Sequence, residues 1–332
     1  MAALGHTVFY GTPLTGYDFV VGFQRASEKL YVMDRRLPWR DLLPEGAIIL
    51  MMSTDNNIDV DFLDEAKGFN CLLIYDYIDH IDPRISLVPI PESHLDAHAE
   101  LLRNEEVRAV CVAPILLQEV AAYRTKNLML VPNGVDVSHY EVSRHREFLR
   151  GKMREIVDCG RQIVGYFGAL ASWVDYQLVH TVARSRPNLS FVLVGPEFDG
   201  SLADWRRSKM QLPDNLFFIP PVNYEELPLT AIWFDVAMIP FVVNEITAAT
   251  SPLKLYEYFA LGKPVVSTPI PDCAGYPDVV LVAEDADRFA AAVDRALVWR
   301  TDEERRARLR RYALQNDWMT RACAILRSID ER

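Results

Sequence analysis

The stretch Ser251–Thr268 reads SPLKLYEYFALGKPVVST. It sets out a loop, a helix, a sharp stop and a buried strand. Ser251 is a good N-cap, and Pro252 suits the first helical position. Leu253, Leu255, Tyr256, Phe259 and Ala260 predict an apolar helix. Gly262 is suited to the left-handed C-terminal position, and Pro264 stops continuation. Val265 and Val266 open a buried strand. Lys254 runs against this local logic, because the dipole disfavours a cation in the first helical turn. A bound anion reverses that argument, since free N–H groups and an ammonium both suit a phosphate. Glu257 follows at i+3, and its carboxylate can accept hydrogen bonds from two adjacent sugar hydroxyls, as on a ribose. The residues alone leave a second reading open, a solvated Lys254–Glu257 pair worth about 0.2–0.5 kcal/mol.

The same residues resemble the nucleotide-binding segment of GT-B glycosyltransferases, especially the bacterial family-4-like group. The resemblance implies that Lys254 meets the diphosphate of a nucleotide-sugar donor and that Glu257 meets its ribose. It covers roughly residues 70–330 and is best over 160–270. The implied fold is α/β, with two Rossmann-like domains facing a cleft.

The whole chain sets the outer limits. It has 332 residues, half of them hydrophobic and 24% charged, which is ordinary for a soluble globular protein of one or two domains. The net charge of −11 argues against general nucleic-acid binding, which needs a basic face. No apolar run reaches the roughly 18 residues of a membrane span. The opening MAALGHTVFY lacks the pattern of a signal peptide. Five scattered cysteines with no CxxC pair read as reduced thiols of a cytoplasmic protein.

In the N-terminal part, strands are predicted at Thr7–Tyr10, Leu30–Met33, Ala47–Met51, Cys71–Tyr75, Val107–Val112 and Leu128–Val131. Helices are predicted near Phe19–Lys29, Asp59–Lys67, Ser93–Arg103 and Pro114–Tyr123. This alternation predicts a mostly parallel sheet covered by helices. LGHTVFY resembles the second strand of a GT-B N-terminal domain, with MAAL as the end of its first helix, which implies that the first strand is missing. The alternative makes Thr7–Tyr10 the first strand, Gly11 to Gly16 its loop and Phe19–Lys29 its helix.

Cys71–Asp82, CLLIYDYIDHID, places Asp76, Asp79 and His80 at the end of a buried strand, where open α/β sheets bind ligands. A polar loop with helix-capping aspartates is the plainer alternative. The motif is similar to YRASDG of the xanthan glucuronosyltransferase family, and that similarity implies a general base at Asp79. VPNGVD at Val131–Asp136 is a turn, and many family-4-like enzymes close their first domain with it. Ser143–Arg154 is a basic run, read as a solvated linker, with an anionic membrane surface as the alternative contact.

The second domain opens near Arg161 with a strand at Ile163–Phe167, then Gly168 and a helix from about Val174. There is neither GxGxxG nor a P-loop, so dinucleotide and P-loop readings lack support. Many GT-B enzymes carry a basic pair here; ALASWVDYQL has none, leaving Lys254 as the main diphosphate cation. Strands at Ser190–Val194, Leu216–Ile219 and Phe234–Ile239 each end in Gly or Pro. The resemblance makes Gly195 and Val222 walls for the nucleobase. Asn244 and Glu245 are read as loop before the central helix. The family's EX7E pattern would put its first acid at Ala249, where none stands. Val279–Val282 is the last strand. Trp318 begins what resembles the GT-B C-terminal helix that returns to the first domain.

These readings predict an acceptor-side domain over 1–155, a nucleotide-sugar-binding domain over 156–310 and a returning helix over 311–332. The resemblance implies a glycosyltransferase acting on a nucleoside-diphosphate sugar and a saccharide or lipid-linked acceptor, in surface polysaccharide or glycolipid synthesis. It is expected in the cytoplasm, with peripheral contact to the inner membrane surface. Catalytic residues would be Asp79, His80 and Lys254. Ser251, Lys254, Leu255, Glu257, Asn244, Gly168, Gly195 and Val222 would bind the donor. The resemblance calls for no metal or resident cofactor, and none is invoked. A GT-B nucleotide-sugar epimerase and a non-catalytic nucleotide-sugar-binding partner are the alternatives.

Overall fold

The computed structural model describes residues 1–12, 20–34, 44–55, 58, 60–68, 71–86, 89–208 and 211–330. The chain forms two compact units, Met1–Val131 with the segment from Ala322, and Pro132–Arg321. The expected boundary at 155 moves upstream because Val135, Val137, Tyr140, Leu149, Met153 and Ile156 all join the core of the second unit. For the same reason the basic run at 143–154 is not a linker. Leu149 and Met153 anchor it, and its cations are paired, Arg146 and Arg154 with Asp158 and Lys152 with Glu155. The end of the second unit likewise moves from 310 to Arg321, since Ala313 is part of that core.

The first unit holds two sheets. Strands β1 (Val8–Thr12), β2 (Phe23–Ser27) and β3 (Leu30–Asp34) form one, in the order β1-β3-β2. β1 runs parallel to β3, and β2 pairs with β3 antiparallel. The helix expected over 19–29 is therefore absent among the described residues: Phe23–Ser27 is an exposed hairpin strand, entered through Gly22 at φ 73°. That left-handed conformation breaks a helix and costs glycine little. Most of the loop expected after β1 lies outside the described residues. The second sheet is parallel, β4 (Ile48–Met52), β5 (Leu72–Tyr77), β6 (Arg108–Cys111) and β7 (Leu128–Leu130) in sequential order, linked through helices Val60–Gly68, Glu92–Arg103 and Pro114–Ala121. On one face Ile74, Val110 and Val131 are buried against Ile325 and Ile329 of the last helix, Trp318–Asp330.

The second unit is built on runs with no polar interruption, which is what a strand covered on both faces requires. They are β8 (Ile163–Phe167), β9 (Ser190–Val194), β10 (Leu216–Ile219), β11 (Val236–Ile239), β12 (Val265–Ser267) and β13 (Val280–Val282). All pair parallel in the order β10-β9-β8-β11-β12-β13. This is the 3-2-1-4-5-6 order of a doubly wound sheet, whose strand order reverses between β8 and β11. Such sheets bind ligands at the carboxyl ends of the strands flanking that reversal. Among the described residues no helix is long and apolar enough to cross a membrane. The five cysteines are all free thiols.

Candidate functional site

The helix Leu253–Ala260 starts beside the reversal between β8 and β11 and delivers Lys254 to it. The Lys254 ammonium lies 5.3 Å from the ring centre of Tyr166 on β8 and 5.1 Å from that of Phe241 just past β11. Protein atoms crowd it closely, and burial pushes its pKa below the ordinary lysine value, while the charge of Glu257 works the other way. Aromatic faces stabilise a cation by about 0.5–2 kcal/mol, less than a phosphate would give.

Glu257 does not form the solvated pair with Lys254. Its Oε1 accepts a 2.7 Å hydrogen bond from the hydroxyl of Tyr140, whose side chain is 2% exposed. Burial raises the Glu257 carboxyl above its usual value; Tyr140 and Lys254 hold it down. Tyr140 escaped the sequence reading because it stands 117 residues from its partner, and no local pattern marks it. The neighbouring His139 stacks on Tyr224 with ring centres 4.1 Å apart. Tyr224 follows Val222, itself half-buried against the core at the carboxyl end of β10.

Glycine is required at the two strand ends below Lys254. Gly168 has φ 131°, and a Cβ there would come 2.9 Å from Lys254 Cε and 3.2 Å from its Nζ. Gly195 has φ 154°, and its Cβ would collide with the Gly168 carbonyl. Gly168 therefore presents a floor of bare backbone to the ammonium, with Gly195 packed against it, which leaves room for a ligand close to the main chain. The N–H groups of the two glycines themselves donate to the Val194 and Ile219 carbonyls.

Three expected ligand contacts have other work. Ser251 is not the N-cap, a position taken by Pro252, which offers no side-chain hydrogen bond. The Ser251 hydroxyl, 2% exposed, donates to Asp272 Oδ2 at 2.7 Å and accepts from the Asn133 N–H at 3.1 Å. Asn133 Nδ2 also donates to the Ser251 carbonyl at 2.7 Å, and Tyr256 donates to the same Asp272 oxygen at 2.8 Å. VPNGVD thus braces the loop that presents Lys254. Gly134 is needed in that brace because a Cβ would come 2.6 Å from the Asn316 carbonyl. Leu255 is fully buried, so its side chain belongs to the core. Asn244 is not in a plain loop: it caps a short helix, Glu245–Ala248, with its side-chain oxygen on the Thr247 N–H. Ala249 is buried at 1% exposure.

In the first unit, β5 carries Asp76, and the turn that follows carries Asp79 and His80. Ser53 Oγ holds this turn through the Ile78 N–H at 3.1 Å. Burial raises both aspartates to about 6. His80 Nδ1 lies 3.7 Å from Glu119 Oε2, and that oxygen accepts a 2.8 Å hydrogen bond from Tyr77. A carboxylate titrating near 6 is a stronger base than usual yet still ionised at neutral pH, a combination suited to proton abstraction.

Comparison with known proteins gives the family context. Residues 161–298 match the family Glycosyl transferases group 1. A curated relative, the putative teichuronic acid biosynthesis glycosyltransferase TuaH of Bacillus subtilis (strain 168), is 25% identical over 236 residues, covering 66% of this chain and 57% of its own length. The chain thus spans little more than half of that relative. The crystal structure of Anabaena Alr3699/HepE in complex with UDP superposes with a TM-score of 0.67 at 14% identity, over 92% of this chain and 86% of that one. A glycosyltransferase from Rickettsia africae ESF-5 gives 0.66 at 11% identity, over 99% and 90%. The chain therefore carries a glycosyl transferases group 1 domain over residues 161–298, on the GT-B fold of these solved structures.

Proposed function

We propose that the protein is a glycosyltransferase that moves a sugar from a nucleoside-diphosphate donor to a hydroxyl of a saccharide or lipid-linked acceptor, in the synthesis of a surface polysaccharide. The observation that carries this reading is Lys254, a crowded cation at a helix N-terminus, at the strand-order reversal and above the bare Gly168–Gly195 floor. An ammonium with a lowered pKa and no carboxylate within ion-pair distance among the described residues is poised for a diphosphate. As the bond from the anomeric carbon to the diphosphate oxygen breaks, negative charge builds on that oxygen. Lys254 and the helix N-terminus stabilise it, a form of electrostatic catalysis that needs no reorganisation. Glu257, fixed by Tyr140, accepts the ribose hydroxyls. Asp79 takes the proton of the attacking acceptor hydroxyl, with His80 beside it to orient the acceptor.

The relatives support a uridine donor: Anabaena HepE has been crystallised with UDP and with UDP-glucose, and the curated relative is named for teichuronic acid synthesis. A lipid-linked acceptor brings the protein to the cytoplasmic face of the membrane. The reading uses no metal or resident cofactor; the donor is a substrate.

The test is calorimetric titration of UDP and UDP-glucose into wild type and Lys254→Ala. A charge-assisted contact to phosphate is worth about 1.5–3 kcal/mol, so the variant loses at least about tenfold in affinity. Equal affinity in both proteins removes Lys254 from the donor site.

A further inference from the structure

A second basic pocket lies at the other end of the same sheet. It opens at the amino ends of β11 and β12, whereas Gly168, Gly195 and Lys254 sit at carboxyl ends. Its volume is about 370 Å³, and its charged lining is Arg144, Lys263, Arg300, Arg306 and Asp235. That volume falls in the range of small-molecule sites, about 300–1,000 Å³.

The charges do not cancel. Three arginines and a lysine face one lining carboxylate, and Asp235 already accepts from the Ile163 N–H at 2.9 Å through one of its oxygens. Arg144 and Arg300 reach Asp235 at 3.5 and 3.8 Å, and their other partners are neutral: Arg144 donates to the Ile232 carbonyl at 3.0 Å and Arg300 to the Gln162 amide oxygen. Arg306 has a partner outside the lining, Glu303 at 2.7 Å, on a side chain that is mostly exposed. Lys263 is 7% exposed, and its ammonium has one recorded partner, the Ile232 carbonyl at 2.6 Å. Burial and then the charges of Arg144 and Arg306 lower its pKa to about 7, against the pull of Asp235. Burying a lysine among arginines is costly, and an apolar side chain would fill the space more cheaply.

We propose that this pocket is a second ligand site, separate from the donor site, that binds a phosphate group. A monocarboxylate would leave most of the positive charge uncompensated, whereas a phosphate dianion has the charge and the oxygens for several arginine forks and an ammonium. The phosphate can belong to a soluble phosphorylated metabolite or to a lipid headgroup. The volume leaves room for a small group attached to it.

The experiment uses the full chain. Inorganic phosphate is titrated calorimetrically into wild type, Arg306→Gln, Lys263→Met and Lys254→Ala. Arg306 is on the surface and its loss spares the core, so Arg306→Gln carries the test should Lys263→Met not fold. Binding should fall at least about tenfold in Arg306→Gln and in Lys263→Met, and should persist in Lys254→Ala. Cosedimentation with phosphatidylglycerol vesicles, against phosphatidylcholine vesicles, separates the two sources. Vesicle binding that Arg306→Gln abolishes assigns a lipid headgroup; phosphate binding without vesicle binding assigns a soluble ligand. Phosphate binding that depends on Lys254 alone overturns the proposal, as does a wild type that binds neither phosphate nor vesicles.

Discussion

Replacing Tyr140 by Phe removes one oxygen and leaves the ring in place. That oxygen donates at 2.7 Å to a part-buried carboxylate, and a hydrogen bond to a charged partner contributes about 1.5–3 kcal/mol. For a unit the size of Pro132–Arg321, each kcal/mol moves the melting midpoint by about 2–4 °C. The variant should therefore melt about 3–12 °C lower. A pH dependence separates this cause from general loosening. Burial already raises the Glu257 carboxyl, and the Tyr140 hydroxyl is the main group that restrains it. Without the hydroxyl the carboxyl rises further. A carboxyl raised in the native state holds its proton longer than the unfolded chain does, so stability falls as pH climbs from the ordinary glutamate value through the native one. Tyr140→Phe extends that fall to higher pH, so its deficit is smallest in acid and grows as pH rises. Scanning calorimetry of both proteins across a pH series measures it. An unchanged midpoint, or a deficit equal at every pH, would refute the claim that Tyr140 sets the state of Glu257.

Two further outcomes follow from the same geometry. Gly168→Ala should destabilise the second unit by about 1–3 kcal/mol through a side chain forced to positive φ, and its Cβ should push Lys254 aside, weakening UDP binding; a melting curve and a UDP titration that both match wild type would count against the floor described above. Asp79→Asn should slow sugar transfer by about 10²–10⁴-fold with donor affinity unchanged. Wild-type kcat/KM should climb through an inflection near 6, where Asp79 ionises, and the variant should lack it. An undiminished rate, or a product that keeps the donor's anomeric configuration, would reject Asp79 as the base of a single displacement.

The second unit was largely legible. IVGYF, SFVLV and LFFI are strands to the residue, because sheets covered on both faces demand uninterrupted apolar runs. Lys254 and Glu257 stood out because a cation in the first turn of a helix is locally unfavourable. The first unit was harder. Phe23–Ser27 has one apolar aromatic and no buried face, so nothing in its pattern separates an exposed hairpin from a helix. Ser251 looked like a cap because the residues that claim its hydroxyl, Asn133 and Asp272, are distant in the chain. Lys263 was passed over for a related reason. The charged groups that line its pocket converge from the segment after Tyr140, the entry to β11 and the last two helices of the second unit, and no single window contains them.

Ile325 and Ile329 cover Ile74, Val110 and Val131, although the whole second unit is made in between. During synthesis, the first-made sheet must keep that apolar face open until residues beyond 322 have emerged, a span in which nascent chains are prone to aggregate or to recruit chaperones. An N-terminal fragment ending at Val131 would keep the face open indefinitely. Adding the Trp318–Asp330 segment as a separate peptide should restore its solubility, making this sheet a unit assembled from two ends of one translation product.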